Sequence, residues 1–251
     1  MRRALAALGA AAVLAACAGS TGRELTVSAA ASLTDAFTEI GTAFEAANPG
    51  IEVVFNFGPS DGLATQIVSV GGLVDVFASA SPRWMDVVAE EGPGVAGRAD
   101  FASNRLAVLV PDGNPAGVER LGDLARDGVR LVLAAEGVPA GDYAREVLVA
   151  AGIEDAGLAN LVSNEEDVRG VVTKVVSGDA DVGIAYVTDV SPTIADRVEL
   201  VSIPDDVNVI AVYPIAVIAG SEEEALAQRF VDFVLREGRE ILDDHGFLPP
   251  P

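Results

Sequence analysis

Four stretches of this chain place a small polar residue or a glycine turn between a short apolar run and the start of a helical pattern. They are Ala30-Ala31-Ser32, Gly58-Pro59-Ser60, Val138-Pro139-Ala140-Gly141, and Asn164 through Val168. The first N–H groups of a helix have no partner inside it and carry partial positive charge. Several such ends facing one cleft can therefore hold an anion. Taken singly, each reads as an ordinary helix cap.

Covalent chemistry has less to work with. His245 is the sole histidine and lies in the tail Asp243-Asp244-His245-Gly246-Phe247. It cannot make a His-rich metal site, and a Ser-His-Asp triad would have to be built on this terminal residue. It reads as a surface or terminal-packing residue. The chain has neither the G-x-x-x-x-G-K-[ST] pattern nor a G-x-G-x-x-G following a strand. With 38 acidic residues, no single carboxylate pair is informative, and a solvated acidic face is the simpler reading.

The elements that must position these turns alternate between strand and helix. Leu25–Ala29 is an apolar strand, and Ser32-Leu33-Thr34-Asp35 resembles a capping box opening a helix. Behind it Leu33, Ala36, Phe37, Ile40, Ala43, Phe44 and Ala47 recur at helical spacing until Asn48-Pro49-Gly50 stops the run. Strand Ile51–Phe57, a turn at Gly58–Gly62, helix Leu63–Val70 and strand Val74–Ser79 follow. Ser81-Pro82 then makes a cap with proline at the first helical position. A second series begins at Leu106–Val110. It continues with a helix near Val118–Arg126, strand Val129–Ala134, a helix from about Gly141 to Ala151 and strand Ala159–Val162. A helix at Glu165–Val176 capped by Asn164, and strands Asp181–Tyr186, Glu199–Ser202 and Val209–Ile218, complete it. The last helix opens with Ser221…Glu224 and turns Leu226, Phe230, Phe233, Val234 and Ile241 inward. Such alternation predicts parallel sheets with helices on both faces.

The start of the chain predicts a compartment. Arg2 and Arg3 precede the uncharged run Ala4–Ala16, too short to span a bilayer and suited to a signal peptide. The run ends in Leu14-Ala15-Ala16-Cys17, which resembles the lipobox of bacterial lipoproteins, with Cys17 lipidated as the new N-terminus. A conventional signal peptide that happens to hold a cysteine is the alternative. With one cysteine in all, an internal disulfide is impossible. Losing residues 1–16 would take the formal charge from −22 to about −24, which repels nucleic acid and anionic lipid.

Several motifs, in order, resemble the periplasmic molybdate-binding proteins of ABC transporters, within the type II periplasmic-binding-protein family. They are Ala29–Ala36, Phe57-Gly58-Pro59-Ser60 before Leu63–Ile67, and Val74–Ala80. Val138–Ala144, Glu166–Gly170 and Gly183–Tyr186 follow in the second half. The likeness runs from about Leu25 to Phe247. It implies an α/β, two-lobed periplasmic-binding-protein-like fold, each lobe a mostly parallel sheet flanked by helices, with the ligand cleft between lobes. It further implies that Ser32 and Ser60 hold an oxyanion through hydroxyl and N–H, Ala140 and Val168 through N–H only, and Tyr186 through its phenol. Molybdate or tungstate would be the ligand, with no cofactor and no catalysis. A membrane permease would be the partner of a monomer tethered through Cys17 outside the cytoplasm. Sulfate, phosphate or another oxyanion on the same fold, or an anchored enzyme or adhesion module on the same scaffold, are the alternatives.

The same reading divides the chain into a signal peptide at 1–16, a tether at 17–24 and a first lobe at 25–104 and 208–251. The second lobe is 105–207. Tyr186 could also be a packing tyrosine at a strand end, and Val168 a core residue whose N–H alone serves the ligand. Trp84 is expected to pack, and the Glu222–Glu224 run to suit the helix dipole. Asp61 and Pro59 depart from the family's usual second loop; Asp61 is expected at the first helical position, pointing outward.

Overall fold

The computed structural model describes residues 22–70 and 73–251. The signal-peptide and lipobox readings on residues 1–17 therefore lie outside the described residues. β1 (Arg23–Ala30) leads through a 3-10 turn into α1 (Thr34–Ala47), β2 (Ile51–Gly58), α2 (Ser60–Val70), β3 (Val76–Ala78) and α3 (Pro82–Glu91). A long β4 (Val95–Pro111) is followed by β5 (Leu131–Ala134), α4 (Pro139–Ala150), α5 (Glu154–Ala159), β6 (Leu161–Glu165), α6 (Val168–Val176) and β7 (Val182–Tyr186). β8 (Val198–Ser202), β9 (Ile210–Ile218), α7 (Glu224–Leu235) and α8 (Gly238–Asp244) end the chain.

Hydrogen bonding orders the strands β2-β1-β3-β9-β4-β7-β5-β6, with β8 paired to β4. β1 pairs in parallel with β2 and β3, and β5 in parallel with β6 and β7. These are the sheets that alternating β and α units predict. The correction lies between them: β9 and β4 run antiparallel to their neighbours. β4 was expected to begin at Leu106. It begins at Val95, pairs with β9 as far as Arg105, and then pairs with β7 and β8 from Leu106 onward. Its early half is interrupted by register shifts and carries buried Ser103 and Asn104, which break the apolar pattern that marks a strand.

Other elements shift for local reasons. The helix expected near Val118–Arg126 is only a 3-10 turn at Leu121–Ala125, flanked by Gly117 and Gly128 in left-handed backbone (φ 61° and 86°). The short α5 was not anticipated. The last helix breaks at Arg236, so Ile241 lies on α8. Helices cover both faces. Leu63, Ile67, Met85 and Val88 of α2 and α3 pack on Phe77 and Ile218 from one side. Phe37 and Phe44 of α1 meet Phe230 of α7 edge-on at 6.3 and 5.2 Å between ring centres on the other. Edge-to-face pairs of this kind add about 0.5–1.5 kcal/mol each beyond their buried area. Among the described residues no helix is long and apolar enough to cross a membrane.

Candidate functional site

The strand–helix junctions named above converge. Ser32, Ser60, Ala140, Val168 and Tyr186 all line one small cavity, whose remaining wall is mostly alanine, proline and glycine. The cavity encloses only about 20 Å³, far below the roughly 300–1,000 Å³ of pockets for organic ligands. It suits a small ion. Cys17 lies outside the described residues.

Each wall has a structural cause. Ser32 sits in the 3-10 turn that lets β1 pass into α1. It was expected to cap α1, but it makes no capping bond; Thr34 begins the helix, and the Ser32 hydroxyl instead meets the Tyr213 hydroxyl at 3.0 Å. Pro59 offers its carbonyl to the Leu63 N–H at 3.0 Å, so Ser60 is the first residue of α2 and its N–H has no partner within the helix. The Ser60 hydroxyl oxygen accepts from the Ala80 N–H at 3.0 Å. Ala140 lies in the first turn of α4, with Pro139 ahead of it. Val168 opens α6, and its side chain packs in the core while its N–H faces the helix entrance. The cap there is Asp167, which accepts from the Gly170 N–H at 2.9 Å, and not Asn164. β6 claims the backbone as far as Glu165, whose carbonyl accepts from the Ala135 N–H at 2.8 Å, so the helix cannot start sooner.

Tyr186 ends β7 with its side chain fully buried, its ring edge-on to Tyr213 at 5.9 Å. Among the described residues its hydroxyl has no hydrogen-bond partner. Burial pushes this phenol well above its ordinary pKa, so it stays a donor. A buried hydroxyl left unpaired costs about 1–3 kcal/mol. Among the described residues no Lys, Arg or His lines the cavity, and the single carboxylate there, Asp167, is engaged as a helix cap. Apart from that carboxylate the lining is uncharged and rich in donors.

Sequence reasoning did not foresee the groups behind and beside this cavity. The Tyr186 N–H donates to Asp189 Oδ2 at 2.9 Å. Asp189 keeps some surface in a groove against α6, while burial of its carboxyl pushes the pKa up to about 7. The neighbouring Asp167 and Asp35 add to the rise, and Arg169 opposes it. The ordinary value is 3.8, so between these limits the folded protein binds the extra proton. Stability from this group is therefore full below about pH 4 and is lost as pH rises through about 7. Asp189→Asn, which keeps an acceptor for Tyr186, should melt above the wild type at pH 8 and converge with it near pH 4. Melting curves that stay parallel across this range would refute the assignment.

Trp84 was expected only to pack, yet its Nε1 donates to the Gly137 carbonyl at 2.8 Å, ahead of α4. The Arg83 guanidinium lies 4.9 Å over the Trp84 ring and reaches Asp142 at 3.3 Å. Asp61 also departs from expectation. It is the second residue of α2, and its Oδ1 is buried without a partner while Oδ2 faces Gly137. It does not line the small cavity. His245 packs at the end of the chain, its ring nitrogen 2.9 Å from Glu39. A wider groove near Arg83 and Arg145 carries charges of both signs that are already paired, Arg83 with Asp142 and Arg145 with Glu136.

Known proteins match this geometry along nearly its whole length. The molybdate-binding protein ModA of Mycobacterium tuberculosis is 41% identical over 229 residues, covering 91% of this chain and 85% of its own. The molybdate-binding protein ModA of Escherichia coli is 34% identical over 237 residues, covering 89% and 88%. The solved periplasmic molybdate-binding protein of Azotobacter vinelandii superposes with a TM-score of 0.76 over 90% of this chain and all of its own, at 22% identity. That last likeness speaks for the two-lobed periplasmic-binding-protein fold. The profile of one family covers residues 25–248, and with it this chain belongs to the bacterial extracellular solute-binding proteins, which carry solutes rather than transform them.

Proposed function

We propose that this protein captures molybdate, and equally tungstate, in the Ser32–Ser60–Tyr186 cavity and presents it to an ABC permease. The observation that carries this reading is the buried Tyr186 hydroxyl, kept protonated and given no acceptor among the described residues. A fully deprotonated tetrahedral dianion supplies that acceptor. The N–H groups of Ser60, Ala140 and Val168, at the starts of three helices, add donors and partial positive charge. The names of the mycobacterial and Escherichia coli relatives support the choice of anion.

The formal charge of −22 does not oppose such capture. Surface carboxylates more than about 10 Å from the site are screened at ordinary salt, whereas donors inside the cavity act at contact. Molybdate and tungstate share charge and nearly share size, so the site treats them alike.

In this reading residues 25–104 and 208–251 form one lobe and 105–207 the other, and they close on the anion by a hinge through the antiparallel pair β4 and β9. The Trp84–Gly137 bond and the Arg83–Asp142 and Arg169–Asp35 pairs then fasten the closed form. The protein acts as a monomer outside the cytoplasm, tethered through a lipid on Cys17. Cys17→Ser should leave a folded, binding-competent protein released from the membrane fraction; unchanged retention would remove the tether from the scheme.

Calorimetric titration with molybdate, tungstate, sulfate and phosphate tests the central claim. Tight binding of the first two, and phosphate much weaker, is the expected order. Phosphate binding ahead of molybdate would overturn it.

A further inference from the structure

We propose that Tyr213 is a positioning residue that fixes the direction of the Ser32 proton, so that Ser32 can only donate to the bound anion. The proposal rests on the anion-binding reading above and deepens it.

A serine hydroxyl is both donor and acceptor. In a cavity that must hold a dianion, a serine lone pair turned toward the ligand would repel it, and the same lone pair would welcome the proton of a protonated competitor. Something must occupy the serine oxygen from behind. At Ser60 this is the Ala80 N–H, 3.0 Å away. A backbone N–H cannot accept, so the Ser60 proton is free for the ligand. At Ser32 no backbone donor takes that place; the partner is the Tyr213 hydroxyl at 3.0 Å, behind the cavity wall and fully buried on β9.

Either hydroxyl could donate in that pair, and the surroundings decide. Buried Asn104 Oδ1 accepts from the Arg105 N–H at 2.9 Å, which fixes the orientation of its amide. The amide nitrogen then donates to Thr188 Oγ1 at 2.7 Å and is turned toward the Tyr213 oxygen. With the Asn104 amide nitrogen on that side and Ser32 Oγ at 3.0 Å on the other, the Tyr213 proton is given to Ser32, the acceptor beside it. Burial pushes the phenol well above its ordinary pKa, so near neutral pH it keeps its proton. The resulting chain of donation runs from Asn104, anchored on Thr188 and Arg105, through Tyr213 to Ser32 and ends on the anion. Tyr213 touches no ligand; it acts through Ser32.

Tyr213→Phe tests this, because the ring and its edge-on packing against Phe101, Tyr186 and Phe247 remain. Molybdate and phosphate are titrated into the wild type, Tyr213→Phe, Ser32→Ala, Ser60→Ala and the two doubles that combine Tyr213→Phe with a serine change. Tyr213→Phe should weaken molybdate about three- to tenfold, the range of one ordinary hydrogen bond. It should also raise phosphate affinity relative to molybdate, since Ser32 can now accept. In the Ser32→Ala background the same substitution should change molybdate affinity less than about twofold, while in the Ser60→Ala background its full effect should persist. Equal loss in both backgrounds would mean that Tyr213 acts through packing, and would overturn the proposal. A Ser32→Ala protein that binds molybdate like the wild type would instead bring down the site reading itself.

Discussion

Gly141→Ala should lower the unfolding free energy by about 3–5 kcal/mol, at the upper end of what a single substitution does, and should weaken molybdate binding at least about tenfold. The substitution adds one methyl group to a helix, where alanine is normally preferred to glycine by about 1 kcal/mol. Space decides against it. A Cβ on Gly141 would lie 2.2 Å from the Ala135 carbonyl oxygen and 2.4 Å from that of Ala134. Both are backbone atoms at the end of β5, and neither can swing aside as a side chain would. Arg145 holds the same corner, its Nη1 donating to the carbonyls of Ala134 and Gly141 at 2.9 and 2.8 Å. The start of α4 must therefore move away from the strand, carrying with it the Ala140 N–H that faces the cavity. One lost hydrogen bond to a charged ligand is worth roughly 1.5–3 kcal/mol, hence the tenfold floor. Gly122→Ala is the matched control: nothing lies within 4 Å of its added Cβ, and its backbone is not left-handed. It should be neutral or slightly stabilising. Denaturant unfolding and titration of both variants check the pair, and a Gly141→Ala protein as stable as Gly122→Ala would show that the corner can relax.

This corner also shows what the sequence makes legible. Val138-Pro139-Ala140-Gly141 reads as a strand-to-helix turn because proline and glycine have local meaning. The five residues implied by the family resemblance come from five separate junctions and meet in one cavity. What stays hidden depends on partners far along the chain. Ser32 and Tyr213 are 181 residues apart, and no local spacing in Val212-Tyr213-Pro214 distinguishes a relay tyrosine from a core one. The cap of α6 was misplaced because Asn164, Glu165, Glu166 and Asp167 could each begin a helix; pairing of β6 with β5 settles it, and that pairing is long-range. Asp61 was misread for the same kind of reason. Its expected outward direction follows from α2 alone, whereas its Oδ1 is buried and its Oδ2 comes near Gly137, in another part of the chain. The antiparallel run of β4 against β9 was lost where buried Ser103 and Asn104 interrupt the apolar pattern. Those polar residues are there for a reason: Asn104 bonds to Thr188, and Ser103 donates its hydroxyl to the Pro249 carbonyl. The positions that defeat pattern reading are the ones that tie the site to the rest of the fold.

Ser60→Ala and Ser32→Ala should both weaken molybdate about ten- to a hundredfold, yet they should differ in what they do to the unliganded protein. Each removes one hydroxyl donor to a doubly charged shell, and hydrogen bonds to charged groups are worth roughly 1.5–3 kcal/mol. From the sequence, the serines are helix caps, and their loss would cost about 1 kcal/mol of stability alike. Neither serine caps a helix through its side chain. The Ser60 oxygen is the acceptor for the Ala80 N–H, a rigid backbone donor buried where β3 runs into α3. Removing the hydroxyl leaves that N–H without its partner and should cost about 1–3 kcal/mol in the absence of ligand. The Ser32 oxygen is the acceptor for a phenol, whose proton can turn about its C–O bond to find another acceptor. Ser32→Ala should therefore stay within about 1 kcal/mol of the wild type. Unfolding without molybdate, followed by titration on the same preparations, separates the two effects. If Ser32→Ala proved the more destabilising, the Ala80 N–H would not depend on Ser60. If both variants bound molybdate unchanged, the anion would have to lie somewhere other than this cavity.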